Sequence, residues 1–362
     1  MIGGLGKGGK GFYALDVTNP ASMNTEAKAA AKVLWEFTDS DMGYSYGAPV
    51  VVKTRKYGWV AILTSGYNGG GTSSYLYIVN PTNGQLLQKI ATPSESEGMA
   101  QAAAYVQDFT DGTADAVYAG DLNGQMWRFD LTLAKGSTAN YPAPTLIAKF
   151  TDGSDRSQPV TTQPLIEIQP LSKKRFVLVG TGRLLDSSDI QSSQQQSYYA
   201  VIDGTASAFS SGTFPIVRND LQAVTNLTEG IALSATSRGW YTDLGVTSNV
   251  GWRVINASTS NSGAVAFSTL QTTGDACSPS GNSRVYAIDF GTGKSTLVDG
   301  SGNIVAFNAV GAAVTDLRFL SVDGTTRLVS GDVRGEMKNN PIKLPGVLGL
   351  RLLNWREVPT VD

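Results

Sequence analysis

The sequence predicts an all-β fold of the β-propeller class, and three observations carry that prediction. A two-strand phrase recurs six times along the 362 residues: a short apolar run that halts at or near glycine, a loop, then an aromatic-rich strand ending on an acidic or amide side chain. The phrases are spread from one end of the chain to the other, so each sheet can cover its apolar faces only by stacking on its neighbours. Helical periodicity is nearly absent. Together these features predict one quinoprotein-like propeller spanning residues 1–362, with about seven blades (six to eight) of roughly 50 residues and some blades irregular or incomplete.

The first phrase runs from Ile2-Gly3-Gly4 to Phe12-Tyr13-Ala14-Leu15-Asp16, around the glycine-rich passage Gly3 to Gly11. Met23 to Val33, with its Ala-Lys-Ala-Ala-Ala-Lys run and a Thr25-Glu26 start, is the one segment of helical composition, and it predicts a turn or two of helix on a loop. The second phrase leads from Ala61-Ile62-Leu63 to Tyr75-Leu76-Tyr77-Ile78-Val79-Asn80. The third leads from Ala116-Val117-Tyr118-Ala119-Gly120 to Met126-Trp127-Arg128-Phe129-Asp130, and the fourth from Phe176-Val177-Leu178-Val179-Gly180 to Tyr198-Tyr199-Ala200-Val201-Ile202-Asp203. Ala264-Val265-Ala266-Phe267 with Val285-Tyr286-Ala287-Ile288-Asp289 is the fifth, and Arg327-Leu328-Val329-Ser330-Gly331 with Glu336-Met337 the sixth. Trp35, Trp59, Trp127, Trp240, Trp252 and Trp355 fall on or beside these strands, where large rings fill the gap between neighbouring sheets; the alternative for Trp240, Tyr241 and Trp252 is an exposed stacking platform for a sugar or peptide.

Composition narrows function mainly by what is missing. With no histidine and one cysteine, Cys277, the chain cannot build Ser-His-Asp or Cys-His catalysis or the usual zinc and haem sites. Carboxylate chemistry and hard cations such as calcium remain. The net charge of −2 from 28 basic and 30 acidic residues, without a basic stripe, speaks against nucleic acid as a partner. No stretch approaches the roughly 20 apolar residues of a membrane span, and no signal peptide is seen. Met1 reads as an artificial or internal start, which would make the chain a piece of a longer protein. A lone cysteine fits both a reducing cytosol and an exported protein that avoids thiols.

The richest oxygen cluster is Asp108-Phe109-Thr110-Asp111-Gly112-Thr113-Ala114-Asp115, directly before the third phrase. It is similar to the D-x-[DN]-x-[DN]-G calcium loop, shortened by one residue, with Asp108, Asp111, Thr113 and Asp115 as candidate ligands; Phe109 and Gln107 occupy places where oxygen ligands are wanted. The competing reading is an Asp-Gly turn whose side chains satisfy local amides, and Asp323-Gly324 before the sixth phrase repeats that pattern with Arg327 in place of the last acid. Gly120-Asp121-Leu122-Asn123-Gly124-Gln125-Met126 and Gly331-Asp332-Val333-Arg334-Gly335-Glu336-Met337 read as twin hairpin turns, Asn-Gly supplying the positive φ of a primed turn; Asp121 and Asp332 as channel-facing ligands is the alternative. Asp186-Ser187-Ser188-Asp189 and Asp299-Gly300-Ser301-Gly302-Asn303 are weaker clusters, the second a ready hairpin tip.

The block Val117-Tyr118-Ala119-Gly120-Asp121-Leu122-Asn123-Gly124-Gln125-Met126-Trp127-Arg128-Phe129-Asp130 resembles the most recognisable motif in the C-terminal propeller of the PilC/PilY type IV pilus biogenesis and tip-adhesin family. Gly3 to Asp16, Leu34-Trp35-Glu36-Phe37, Gly43-Tyr44-Ser45-Tyr46-Gly47-Ala48-Pro49, Gly180-Thr181-Gly182-Arg183 and Asn354-Trp355-Arg356-Glu357 agree with it in order. The resemblance implies a non-enzymatic protein, exported through the periplasm to the pilus tip or outer membrane. It would work through contacts with pilins or minor pilins and with host or surface ligands, opposing pilus retraction and contributing to twitching motility and adhesion. It also implies a calcium loop at Asp108, Asp111, Thr113 and Asp115, and an N-terminal region in full-length relatives. Two other functions fit the same architecture: a pyrroloquinoline quinone-dependent dehydrogenase, suggested by Tyr75 to Gly84 and Tyr286 to Gly293, and an outer-membrane assembly scaffold.

Overall fold

The computed structural model describes residues 1–345 apart from residues 94, 246–250, 275–278 and 323–324. Cys277, the Asp323-Gly324 turn, and the passage Asn354-Trp355-Arg356-Glu357 lie outside the described residues. Six sheets follow one another in chain order, one for each phrase. The first holds β1 (Ile2–Gly4), β2 (Phe12–Leu15) and β3 (Val33–Phe37). The second holds β4 (Val50–Thr54), β5 (Gly58–Thr64), β6 (Tyr75–Val79) and β7 (Leu86–Ala91). The third holds β8 (Ala102–Tyr105), β9 (Ala116–Gly120), β10 (Gln125–Asp130) and β11 (Thr145–Lys149).

The fourth is built from β12 (Leu165–Ile168), β13 (Lys174–Gly180), β14 (Ser197–Thr205), β15 (Gln222–Ala223) and β16 (Gly239–Asp243), with β15 parallel to β16. The fifth contains β17 (Trp252–Arg253), β18 (Thr259–Asn261), β19 (Ala264–Gly274), β20 (Pro279–Asp289), β21 (Lys294–Ser295) and β22 (Asn308–Val310). The sixth contains β23 (Val314–Val322), β24 (Thr325–Asp332) and β25 (Met337–Asn340). Six sheets among the described residues fall at the lower end of the expected range. The one predicted helix is present as α1 (Glu26–Ala30), with the Thr25 hydroxyl accepting from the Lys28 amide as its N-cap.

The phrase strands read as continuous apolar runs because both of their faces are buried. On β9, Val117 and Ala119 face the second sheet, where they meet Val60 and Ile62, while Ala116 and Tyr118 face the fourth, where they meet Val177, Val179 and Tyr199. On β14 the alternation continues: Tyr199 and Val201 point back to the third sheet, Tyr198 and Ala200 forward to Trp240, Phe267 and Tyr286. Five such seams join the six sheets in order, and none of the five joins the sixth to the first. The seams carry stacked rings, Tyr198 on Phe267 at 3.8 Å and Phe150 on Tyr199 at 4.3 Å between centroids.

The halting glycines have a packing cause. A Cβ built on Gly180 would lie 2.3 Å from Cγ2 of Val254, and one on Gly120 2.3 Å from Cγ1 of Val160; both valines lead into the next sheet. Gly331 stands at the same point of the sixth phrase, yet nothing lies within 4 Å of its Cβ position. Gly180→Ala should therefore destabilise by about 1–3 kcal/mol through overpacking. Gly331→Ala should stay within about 0.5 kcal/mol of the parent, as an uncrowded surface change does. Urea titrations of the two variants check this, and equal losses would contradict the packing explanation.

Trp35, Trp127, Trp240 and Trp252 are core residues, which leaves no exposed platform at Trp240 or Trp252. Trp59 departs from the expectation, being 63% exposed. It shares a face of the second sheet with Val51 and Lys53, and farther along that face Ala61 and Leu63 pack on the first sheet.

Candidate functional site

The segment between β8 and β9 is shaped by its own side chains. Oδ1 of Asp108 accepts from the Thr110 amide at 2.8 Å and its hydroxyl at 2.6 Å, and Oδ1 of Asp111 accepts from the Thr113 amide and hydroxyl, both at 2.8 Å. Gly112 takes the left-handed conformation, φ +62°, that closes the turn. The Thr110 hydroxyl and amide hold the Asp108 carboxyl below the ordinary carboxylate value, and the Thr113 amide and hydroxyl do the same for Asp111. This is the Asp-Gly turn reading, realised in detail.

Asp115 is buried, and both of its carboxylate oxygens accept: Oδ1 from Nη1 of Arg55 at 2.9 Å, Oδ2 from the Gln107 amide at 2.7 Å. Nε of Arg55 also stands 3.4 Å from Oδ2 of Asp111. Arg55 belongs to the turn between β4 and β5 on the neighbouring sheet, and its hydrogen bond to Asp115 raises its own pKa. The two segments are clamped further: the Ala114 amide donates to the Lys53 carbonyl at 2.7 Å and Nζ of Lys53 to the Asp111 carbonyl at 3.4 Å.

Of the four sequence-predicted ligands, then, Asp111 and Asp115 converge, but on a guanidinium. Asp108 is engaged with Thr110, Thr113 is tied to Asp111, and Phe109 is 86% exposed. Among the described residues no group of three or more histidine, cysteine, aspartate or glutamate side chains is placed to hold a metal ion. In this arrangement the residues do not fit a calcium ion, since the cation between the two acids is already supplied. Sequence reasoning missed Arg55, which carries no local signal because it lies 60 residues from Asp115.

The turn after β9 shows a second use of aspartate. Oδ1 of the fully buried Asp121 accepts from the amides of Asn123 at 3.0 Å and Gln125 at 2.9 Å, and Oδ2 accepts from the Ser96 hydroxyl at 2.6 Å and Nε1 of Trp127 at 2.9 Å. Burial pushes the Asp121 carboxyl up, against the effect of these donors. Only Gly124 has positive φ, at +71°, so the connection is an aspartate-closed four-residue turn and not the primed Asn-Gly turn expected. Asp152, Asp299 and Asp332 repeat the device, each accepting from the amides two and four residues on. Asp299 is thus a hairpin tip, and Asp121 and Asp332 are turn closers. In the remaining cluster Asp189 is buried and accepts from Nε of Arg183 at 2.7 Å and the Leu185 amide at 2.9 Å.

At the third seam, Asp203 at the end of the fourth phrase meets Arg128 Nη1 at 2.6 Å and the Tyr118 hydroxyl at 2.7 Å. The segments after β13, β17, β22 and β24, with Leu270 of β19, border an open, largely apolar recess of about 980 Å³ lined by Leu184, Ile255, Leu270, Val314 and Val333. The described surface therefore offers turns and apolar recesses, with Asp115, Asp121, Asp189 and Asp203 consumed by internal donors.

The family model for the PilY1 beta-propeller domain matches residues 1–235. A type IV pilus biogenesis factor PilY1 of Pseudomonas aeruginosa is 31% identical over 263 residues, 63% of this chain and 22% of the relative. A PilY1 homolog of Xylella fastidiosa is 30% identical over 331 residues, 82% of this chain and 22% of the relative. The chain thus spans about a fifth of the length of these curated relatives. The crystal structure of the P. aeruginosa PilY1 C-terminal domain superposes with a TM-score of 0.74 at 23% identity, covering 94% of this chain and 80% of that one, which shows a shared fold.

Proposed function

This chain belongs to the PilY1 β-propeller family, and from that premise we propose that it is the propeller of a non-enzymatic type IV pilus biogenesis factor, exported to the cell surface at the pilus tip or outer membrane. There it supports pilus extension against retraction, and through it twitching motility and surface attachment. The observation that carries this reading is the family match over residues 1–235, the first three sheets and most of the fourth, together with relatives named as pilus biogenesis factors. The site supports a binding role over a catalytic one. Asp115, Asp121, Asp189 and Asp203 each accept from two or more internal donors, so none is free to serve as a general base. Pilins or minor pilins are the proposed partners, with host or surface ligands as further contacts. Among the described residues no helix is long and apolar enough to cross a membrane.

Deleting this segment from its gene tests the proposal, with surface pili counted by electron microscopy. Pili should be lost when retraction is active and should return when the retraction motor is also removed. Unchanged piliation and twitching in the deletion strain would refute the reading.

A further inference from the structure

We propose that Arg55 serves the β8–β9 loop as a built-in cation, taking the part that the family resemblance assigns to calcium, so that this loop is ordered without an ion. The guanidinium reaches across the seam between the second and third sheets and bridges two acids of the loop, Asp115 at 2.9 Å and Asp111 at 3.4 Å. Its planar fork of donors suits two carboxylates held side by side. The positions that fail as calcium ligands agree with this assignment: Phe109 turns its ring to solvent, and Gln107 contributes a backbone donor to Asp115 where a cation site needs an oxygen. A divalent ion entering beside Asp111 and Asp115 would face the fixed positive charge of Arg55 and would have to displace it.

The arrangement also couples two sheets. Arg55 is on the turn between β4 and β5, and Lys53 of the same strand pair forms a parallel bridge with Thr113. The loop that would be loosened by losing an ion is thereby fastened to its neighbour by ion pairs and hydrogen bonds within one chain, independent of calcium concentration. The inference concerns this loop alone and stands or falls apart from the pilus reading.

Melting the purified chain in 5 mM calcium and in chelator, with isothermal titration of calcium, tests it in three proteins. The parent should melt at one temperature in both solutions and take up no calcium at the loop. Arg55→Ala should melt about 2–4 °C lower in chelator and regain part of that loss in calcium, because its acids then lack a cation. Arg55→Lys keeps the charge and should remain indifferent to calcium, which covers the case in which the alanine variant does not fold. Calcium uptake by the parent near one ion per chain with a raised melting temperature would overturn the proposal, as would an Arg55→Ala protein that melts like the parent in both solutions.

Discussion

Asp203→Ala is expected to lower the stability of this protein by about 3–5 kcal/mol, the range for breaking a buried ion pair from one side. Asp203 is fully buried and serves three donors: Arg128 Nη1 at 2.6 Å, the Tyr118 hydroxyl at 2.7 Å and the Ser210 amide at 3.4 Å. The Arg128 side chain is only 11% exposed and is stacked over the Phe209 ring at 4.7 Å, so it cannot turn to water when its partner is removed. Its Nε already lacks a partner, which adds to the cost of leaving the group unpaired. Burial, the main cause that raises the pKa of Tyr118, persists in the variant and disfavours ionising the tyrosine to answer the guanidinium. Urea unfolding followed by tryptophan fluorescence measures the loss. Asp203→Ala combined with Arg128→Met should recover a substantial part of it, since the double variant no longer buries a lone charge. A single variant within 1 kcal/mol of the parent would show that the seam tolerates the unpaired guanidinium.

Asp121→Ala is the second large effect, expected at about 2–4 kcal/mol from the donors it strands. The indole Nε1–H of Trp127 is fully buried and has Asp121 as its acceptor at 2.9 Å, and Ser96 connects the same carboxylate to the preceding loop. Asp332 occupies the matching place in the sixth phrase but binds two amides and the half-exposed Arg334. Asp332→Ala should therefore cost about 0.5–1.5 kcal/mol, the range for one ordinary hydrogen bond. Two nearly identical turns thus predict different losses, and denaturant midpoints read the difference directly. Equal losses would mean that the turn amides, common to both, account for the effect and that Trp127 and Ser96 contribute little.

The contrast between these turns marks where sequence reasoning reaches and where it stops. The turn itself is legible, because its donors lie two and four residues from the aspartate and the spacing Asp-x-x-Gly encodes them. The identity of the residue facing the other carboxylate oxygen is not, because Ser96 stands 25 residues away on another loop. The same division holds for Asp203. Its place at the end of an aromatic strand is visible in the phrase, whereas Arg128, 75 residues earlier, is visible only as the middle residue of another phrase's second strand.

By itself the sequence determined the all-β class, the six strand pairs, the single short helix and the Asp-Gly turns. Each of these is written in neighbours a few residues apart, through period-two alternation, glycine conformations and local hydrogen bonds. Family membership was legible too, through the block from Val117 to Asp130. The tertiary structure alone decided that Trp59 is exposed, that Gly180 is crowded and Gly331 is not, and that the acids before β9 meet Arg55. Those outcomes depend on which sheet stacks on which face, and contacts between residues some 40 to 75 positions apart leave no periodic trace in the chain.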